Sequence, residues 1–246
     1  MHRFFVPPGA LRAEPVVRGP DLAHHLGRVL RLRPGDRIVL LDNAGWEYEG
    51  ELTRLARDSV EVRLLGKSPA KGEAATRIHL YQGLLKGQRF EWVLQKGTEL
   101  GVASFTPLMC QRCVVGPPSP SAFGRWRRIV QEAAEQSGRG LLPPVGPAQP
   151  LAQALATAAG RRLLPWEGET GRSLRAALPR AGVGQPATLE VSLFIGPEGG
   201  WEEEEVALAL SQGAISVGLG PRILRAETAG LVVAAAILFH RGELGG

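Results

Sequence analysis

The chain has 246 residues, 44% hydrophobic and 22% charged, enough for one large domain or two modest ones with a buried core. Its 29 Lys and Arg exceed its 24 Asp and Glu by a formal charge of +5, a modest pointer to an anionic partner. The longest apolar run, Ala226 to Phe239, is broken by Glu227, Thr228 and Gly230, and MHRFFVPPGA lacks the apolar core of a signal peptide. A cytoplasmic protein with no membrane partner is therefore expected.

Residues 1 to about 70 have the texture of a small β-rich module. DLAHHLGRVLRL (21–32) predicts a short helix with Asp21 as its N-cap. RIVLLD (37–42), EYEGELTRL (47–55) and SVEVRLL (59–65) predict short strands. Pro34-Gly35-Asp36, Asp42-Asn43-Ala44-Gly45 and Arg57-Asp58 supply the turns between them. KSPAKGEAA (67–75) has the composition of a linker.

Beyond residue 76 apolar runs alternate with helical patterns. Strands are predicted at IHLYQGLL (78–85), VASFTPLM (102–109), RRLLPW (161–166), LEVSLFIG (189–196) and AISVGLG (214–220). Helices are predicted at 89–100, 121–139 with Ser121 as cap, 151–159, 202–213 and 226–242. Such alternation indicates an α/β domain with a parallel sheet. The lone C-x-x-C, Cys110 and Cys113, has no second pair and no nearby histidine, and Pro117 and Pro118 follow it. It predicts neither a zinc site nor a redox helix, only reduced cysteines. His24 and His25 diverge by about 100° on a helix and lack a third ligand, so no metal is expected.

IGPEGGWEEEEV (195–206) places a glycine loop after a strand. It is not the G-x-G-x-x-G of a dinucleotide site, and it lacks the G-K-[ST] of a phosphate loop. Four glutamates, Glu202 to Glu205, would cancel the helix N-terminal field that attracts phosphate. They suit a helix start, and the glycines suit close backbone approach to something uncharged or cationic. A second such stretch, GLGPRILRAETAG (218–230), follows the next strand. Two such turns, one strand apart, can wall one pocket at the carboxyl ends of a parallel sheet, or can be two ordinary turns.

Several stretches in one order resemble the RsmE-type ribosomal RNA methyltransferases of the SPOUT superfamily. They are MHRFFV, HHLGRVLRLRPGD (24–36), KGQRFEWVLQKGTELGV (86–102), QEAAEQSGR (131–139), IGPEGGWEEEEV and LGPRILRAETAG (219–230), which together span nearly the whole chain. The resemblance implies a PUA-like RNA-binding barrel at 1–70 and a SPOUT methyltransferase domain at 76–246. The latter would carry a deep trefoil knot and a cofactor site at about 160–230. It also implies a homodimer that binds S-adenosyl-L-methionine and methylates N3 of a uridine near the 3′ end of 16S rRNA. The substrate would be the assembled 30S subunit, and no DNA is expected. S-adenosylmethionine has no phosphate and carries a sulfonium cation, which suits a lysine-free glycine loop beside carboxylates.

By the same resemblance the first cofactor loop contains Gly196, Glu198 and Gly200, and the second Leu219, Gly220, Ile223, Leu224 and Arg225. Leu164 is the adenine-side candidate, followed by Pro165-Trp166-Glu167. Uridine N3–H is a weak acid with a pKa of about 9–10, near that of a tyrosine phenol. Its transfer chemistry needs deprotonation or a cation that stabilises the N3/O4 anion. Arg225 could stabilise the anion and Glu227 could accept the proton or orient Arg225; a cap and ion pair at a helix start is the alternative. Arg3, His24, Arg28, Arg31, Lys86 and Arg139 are the RNA-binding candidates, with Arg33, Arg89, Lys96, Arg125, Arg127 and Arg128 as further surface cations. Two other readings stay open: a SPOUT enzyme for another RNA nucleotide, and a non-catalytic RNA-binding or ribosome-assembly protein.

Overall fold

The computed structural model describes residues 1–7, 9–11, 16–18, 20–178 and 188–245, which fall into two compact units. One contains residues 1–73 and 131–142, the other 74–130 and 143–246.

In the first unit the strands are β1 (His2–Phe5), β2 (Val16–Arg18), β3 (Arg37–Leu41), β4 (Trp46–Leu55) and β5 (Ser59–Pro69), in the order β1-β3-β4-β5-β2. Among the described residues of this sheet only β1 and β3 run parallel. Alternation sends Leu52, Val60 and Val62 inward, where they pack with Phe4, Leu26, Ile38 and Leu40. It sends Glu51 and Arg63 outward as a 3.0 Å ion pair. Sequence patterning misses β1, because its adjacent Phe4 and Phe5 hide the period of two, and β5 extends into the expected linker. Helix α1 (Pro20–His24) starts ahead of Asp21, which is therefore inside it rather than its cap. The predicted helix then widens into a π turn at His25–Val29. Gly27 of that turn lies so close to β4 that a Cβ would meet Leu55 Cδ2 at 2.9 Å.

The second unit holds β6 (Arg77–Gly83), α2 (Arg89–Leu100), β7 (Ser104–Met109), α3 (Pro120–Ser137), β8 (Gln149–Pro150), α4 (Leu151–Thr157) and β9 (Arg161–Pro165). Next come α5 (Leu174–Ala177), β10 (Glu190–Ile195), α6 (Glu203–Ser211), β11 (Ile215–Val217) and α7 (Ala226–His240). From Gln131 onward α3 counts with the first unit. All pairings in the sheet, ordered β11-β9-β10-β6-β7-β8, are parallel. Its strands are apolar on both faces because helices cover both. Leu80, Leu163, Leu193 and Ile195 pack with α2 and α7, while Leu164 and Phe194 pack with α4 and α6.

Local chemistry sets the helix ends. The cap of α3 is Ser119, whose Oγ accepts the Ala122 N–H at 3.3 Å, and not the expected Ser121. Gly101, at φ 95°, closes α2. Glu202 and Glu205 form a reciprocal capping box at α6, the helix-start role expected of these glutamates. Among the described residues no helix is long and apolar enough to cross a membrane.

Candidate ligand site at the strand ends

The register aligns the carboxyl ends of the central strands: Ile195 lies beside Gln82, and Val217 beside Pro165. Because β9 sits between β10 and β11, the loops after all three emerge side by side. They enclose two adjoining hollows of about 640 and 450 Å³, which share Pro165, Glu167, Ile223, Leu224 and Ala229.

The loop after β10 borders the smaller hollow. A Cβ at Gly83 would fall 2.5 Å from the Pro197 nitrogen, so the loop backbone lies directly on the end of β6. Trp201 backs Gly196 and donates its Nε1–H to the Pro165 carbonyl at 3.2 Å. Gly200, at φ 75°, closes the turn by donating to the Pro197 carbonyl at 3.0 Å. Glu198 turns back to accept the Lys86 N–H at 2.9 Å and Arg89 Nη1–H at 3.0 Å. Burial would raise the Glu198 carboxyl, but these donors outweigh it and hold it below the usual carboxylate range.

The loop after β11 and the segment after β9 border the larger hollow. The Gly218 N–H donates to the Arg172 carbonyl at 2.8 Å, and a Cβ on Gly218 would meet the Glu169 carbonyl at 2.4 Å. The Glu169 carboxylate accepts Ser216 Oγ–H and the N–H groups of Gly171 and Arg172; led by the Ser216 bond, these hold it below its ordinary value. The loop then carries Ile223, 88% exposed, and reaches Arg225, the N-cap of α7. Glu227 in the first turn of α7 lies 3.8 Å from Arg89 Nε and 3.9 Å from Arg225 Nη1. Glu198, Arg89, Glu227 and Arg225 thus form a line of alternating charge along the smaller hollow.

Gly196, Glu198, Gly200, Ile223, Leu224, Arg225 and Glu227 all border the smaller hollow, and Leu219 and Gly220 the larger. Leu164 does not; it is fully buried in the cluster that holds Trp201 and Phe194, and Pro165, Trp166 and Glu167 border the hollows instead. Lys86 is exposed beside Glu198, and His24, Arg28 and Arg31 are exposed in the first unit. Arg3 is half-buried against Glu47.

Arg139 departs from its expected surface role. It is 3% exposed, and its guanidinium donates to Glu73, whose carboxylate also accepts the N–H groups of Gly140 and Leu141 at 3.0 Å. A guanidinium so enclosed holds a chain junction and cannot track phosphates. Trp126 and Trp201 are buried. Among the described residues no three His, Cys, Asp or Glu are grouped as metal ligands. The sequence offered Arg89 only as a lesser candidate for RNA contact and pointed to neither Glu169 nor Arg112; the turn-rich stretch after β9 was the available signal for Glu169.

Two family profiles match the chain: one described as an RNA methyltransferase domain at residues 72–238, the other as an RNA methyltransferase PUA domain at 17–65. The chain is 37% identical to the ribosomal RNA small subunit methyltransferase E of Synechocystis sp., over 96% of this chain and 77% of that one. It is 31% identical to the protein of the same name from Bacillus subtilis, over 100% and 99%. The crystal structure of a ribosomal RNA small subunit methyltransferase E from Neisseria gonorrhoeae bound to S-adenosyl methionine matches with a TM-score of 0.84 at 33% identity, over 97% of each chain.

Proposed function

This chain belongs to the family of the ribosomal RNA small subunit methyltransferases E, and from that membership we propose that it methylates N3 of a decoding-region uridine near the 3′ end of 16S rRNA. The methyl donor is S-adenosyl-L-methionine, and the substrate is the assembled 30S subunit in the cytoplasm. The observation that carries the reading is the convergence of two glycine-bearing loops and a charged line on one site. The hollows have the size of a small-molecule site. Among the described residues no lysine borders them, while the carboxylates of Glu167, Glu169 and Glu198 do. That donor set fits a ligand with a sulfonium cation and no phosphate, held by the backbone of Gly196–Gly200 and Leu219–Leu224.

S-adenosylmethionine, when bound, supplies an electrophilic methyl group. The chain's own residues hold the acceptor base and stabilise the negative charge left on it when the N3 proton passes to solvent. Uridine N3 lies on the Watson–Crick edge, so the base must be unpaired to enter the site. Arg225, 77% exposed at its side chain, is free to meet an incoming base and to stabilise negative charge on N3 and O4. Glu227 lies between two guanidiniums, which favours its role as an orienting carboxylate over that of proton acceptor. Arg89, held by Glu198, supplies the second fixed cation. His24, Arg28, Arg31 and Lys86 are the proposed RNA contacts.

The knot and the dimer belong to the same proposal. The segment after β9 wraps the end of β11: Trp166 N–H donates to the Val217 carbonyl at 3.1 Å, and Ser173 bridges Gly218. This supports a final segment threaded through that loop. Helix α7 is apolar on every side yet leaves Val232 and Phe239 exposed, by 44% and 69%. A helix of that composition calls for a cover on each face, and a second copy of the chain supplies it.

Calorimetry on the purified chain is expected to show S-adenosylmethionine binding with weak or no binding of ATP or NAD. No binding would sink the enzyme reading. Mass spectrometry of 16S rRNA from cells lacking the gene is expected to show loss of N3-methyluridine, and its persistence would make the assigned nucleotide wrong.

A further inference from the structure

The turn after β7 has no part in the chemistry above, although its two cysteines mark it in the sequence. Cys113 N–H donates to the Cys110 carbonyl at 3.1 Å, and Cys110 N–H donates to Cys113 Sγ at 3.3 Å. These bonds close a tight turn with Gln111 and Arg112 at its tip, and both tip residues reach the loop and helix start after β10. The Gln111 N–H donates to Glu205 Oε1 at 3.0 Å. Arg112 Nε and Nη2 donate to the two Glu202 carboxylate oxygens at 2.7 and 2.9 Å, and Nη1 donates to the Gly199 carbonyl at 3.1 Å.

The backbones are in contact as well. A Cβ on Gly199 would meet Arg112 Cβ at 2.8 Å, and one on Gly200 would meet Glu167 Oε1 at 2.8 Å. The second half of the Gly196–Gly200 loop is therefore pinned between Arg112 on one side and Glu167 on the other. Arg112 itself borders neither hollow. Its planar fork satisfies a carboxylate with two donors and has a third left for the carbonyl, a set that a lysine point charge cannot reproduce.

We propose that Arg112 is a positioning residue for the cofactor. It fixes the Pro197–Gly200 turn in the shape that accepts the ligand, acting through Gly199 and Glu202 and touching no substrate. The proposal rests on the reading of this hollow as the S-adenosylmethionine site, and the wild-type chain tests that reading separately.

The measurements are S-adenosylmethionine affinity by calorimetry, and kcat and KM for methyl transfer to 30S subunits. Arg112→Ala is expected to weaken binding by about tenfold, the scale of losing a charge-assisted hydrogen-bonded pair. KM for S-adenosylmethionine should rise by more than kcat falls, and Arg112→Lys should restore only part of the affinity. Glu202→Gln keeps an oxygen to accept the first-turn N–H of α6 but loses the charge that Arg112 holds. It should weaken binding in the same direction, and the double variant should be no weaker than Arg112→Ala alone. If Arg112→Ala does not fold, Glu202→Gln carries the test. Unchanged affinity in the folded variants while the wild type binds overturns the proposal, as does a loss confined to kcat. Absence of binding by the wild type overturns the reading of the hollow and the proposal with it.

Discussion

Cys113 is half-buried beside Cys110, which is buried, and both are free thiols. The hydrogen bond with the Cys110 thiol lowers the Cys113 thiol to about 7 against the opposing effect of burial. The same bond, with burial, pushes Cys110 far up. Alkylation of the native chain with iodoacetamide is thus expected to modify Cys113 alone, with a rate that climbs as pH rises through about 7. Peptide mass spectrometry reads this, and equal labelling of the two cysteines would contradict it. The residue scale is also where sequence reading fails for charges. Arg125 lies in α3 and Arg139 two residues beyond its end, yet Arg139 is enclosed around Glu73 while Arg125 pairs on the surface with Glu91. Nothing local to either residue separates the two fates, because each partner lies more than thirty residues away.

At the scale of elements, periodicity carried most of the information. Helix α2 spans the predicted residues 89–100, and α6 starts on the glutamates that its capping box uses. The elements that patterning missed are short, such as β8 with two residues and α5 with four, and pack by tertiary contact. Gly83 shows how an element end serves the site. It terminates β6 where the Gly196–Pro197 backbone crosses, and a side chain there would strike the Gly196 carbonyl carbon at 2.8 Å. Gly83→Ala should destabilise the chain by about 1–3 kcal/mol, the usual cost of overpacking. It should also weaken S-adenosylmethionine binding, since relief requires the loop to move. Denaturant melts and calorimetry measure the two effects; a variant that melts and binds like wild type would mean that the loop yields without cost.

At the scale of the molecule, the proposed dimer makes the most direct prediction. Phe239, 69% exposed on the apolar helix α7, should lie within the interface between copies. Phe239→Glu is expected to shift a dimer to monomers in light scattering, because a carboxylate has no partner in an apolar contact. A wild-type chain that runs as a monomer at micromolar concentration would remove the dimer from the proposal. The two units also show that compactness does not follow chain order: residues 131–142 group with residues 1–73 although more than fifty residues separate the two stretches. A break in composition near residue 70 can mark a linker, but it cannot show that a later helix end returns.

The sequence by itself determined the alternation of strands and helices, the burial of both faces of the sheet, and the chemistry of the two glycine loops. Each of these is written in local spacing: period two, period 3.6, glycine after a strand, glutamates without lysine. Only the tertiary structure decided that β9 lies between β10 and β11. That order gathers Pro165–Glu167, Gly196–Gly200 and Gly218–Glu227 around one site. It also decided that Glu198 is held by Arg89, Glu202 by Arg112, and Arg139 by Glu73. The physical reason is common to all of them. Hydrophobic periodicity specifies which face of an element is buried, whereas strand neighbours and ion-pair partners are chosen by packing between residues far apart in the chain, where local pattern carries no signal.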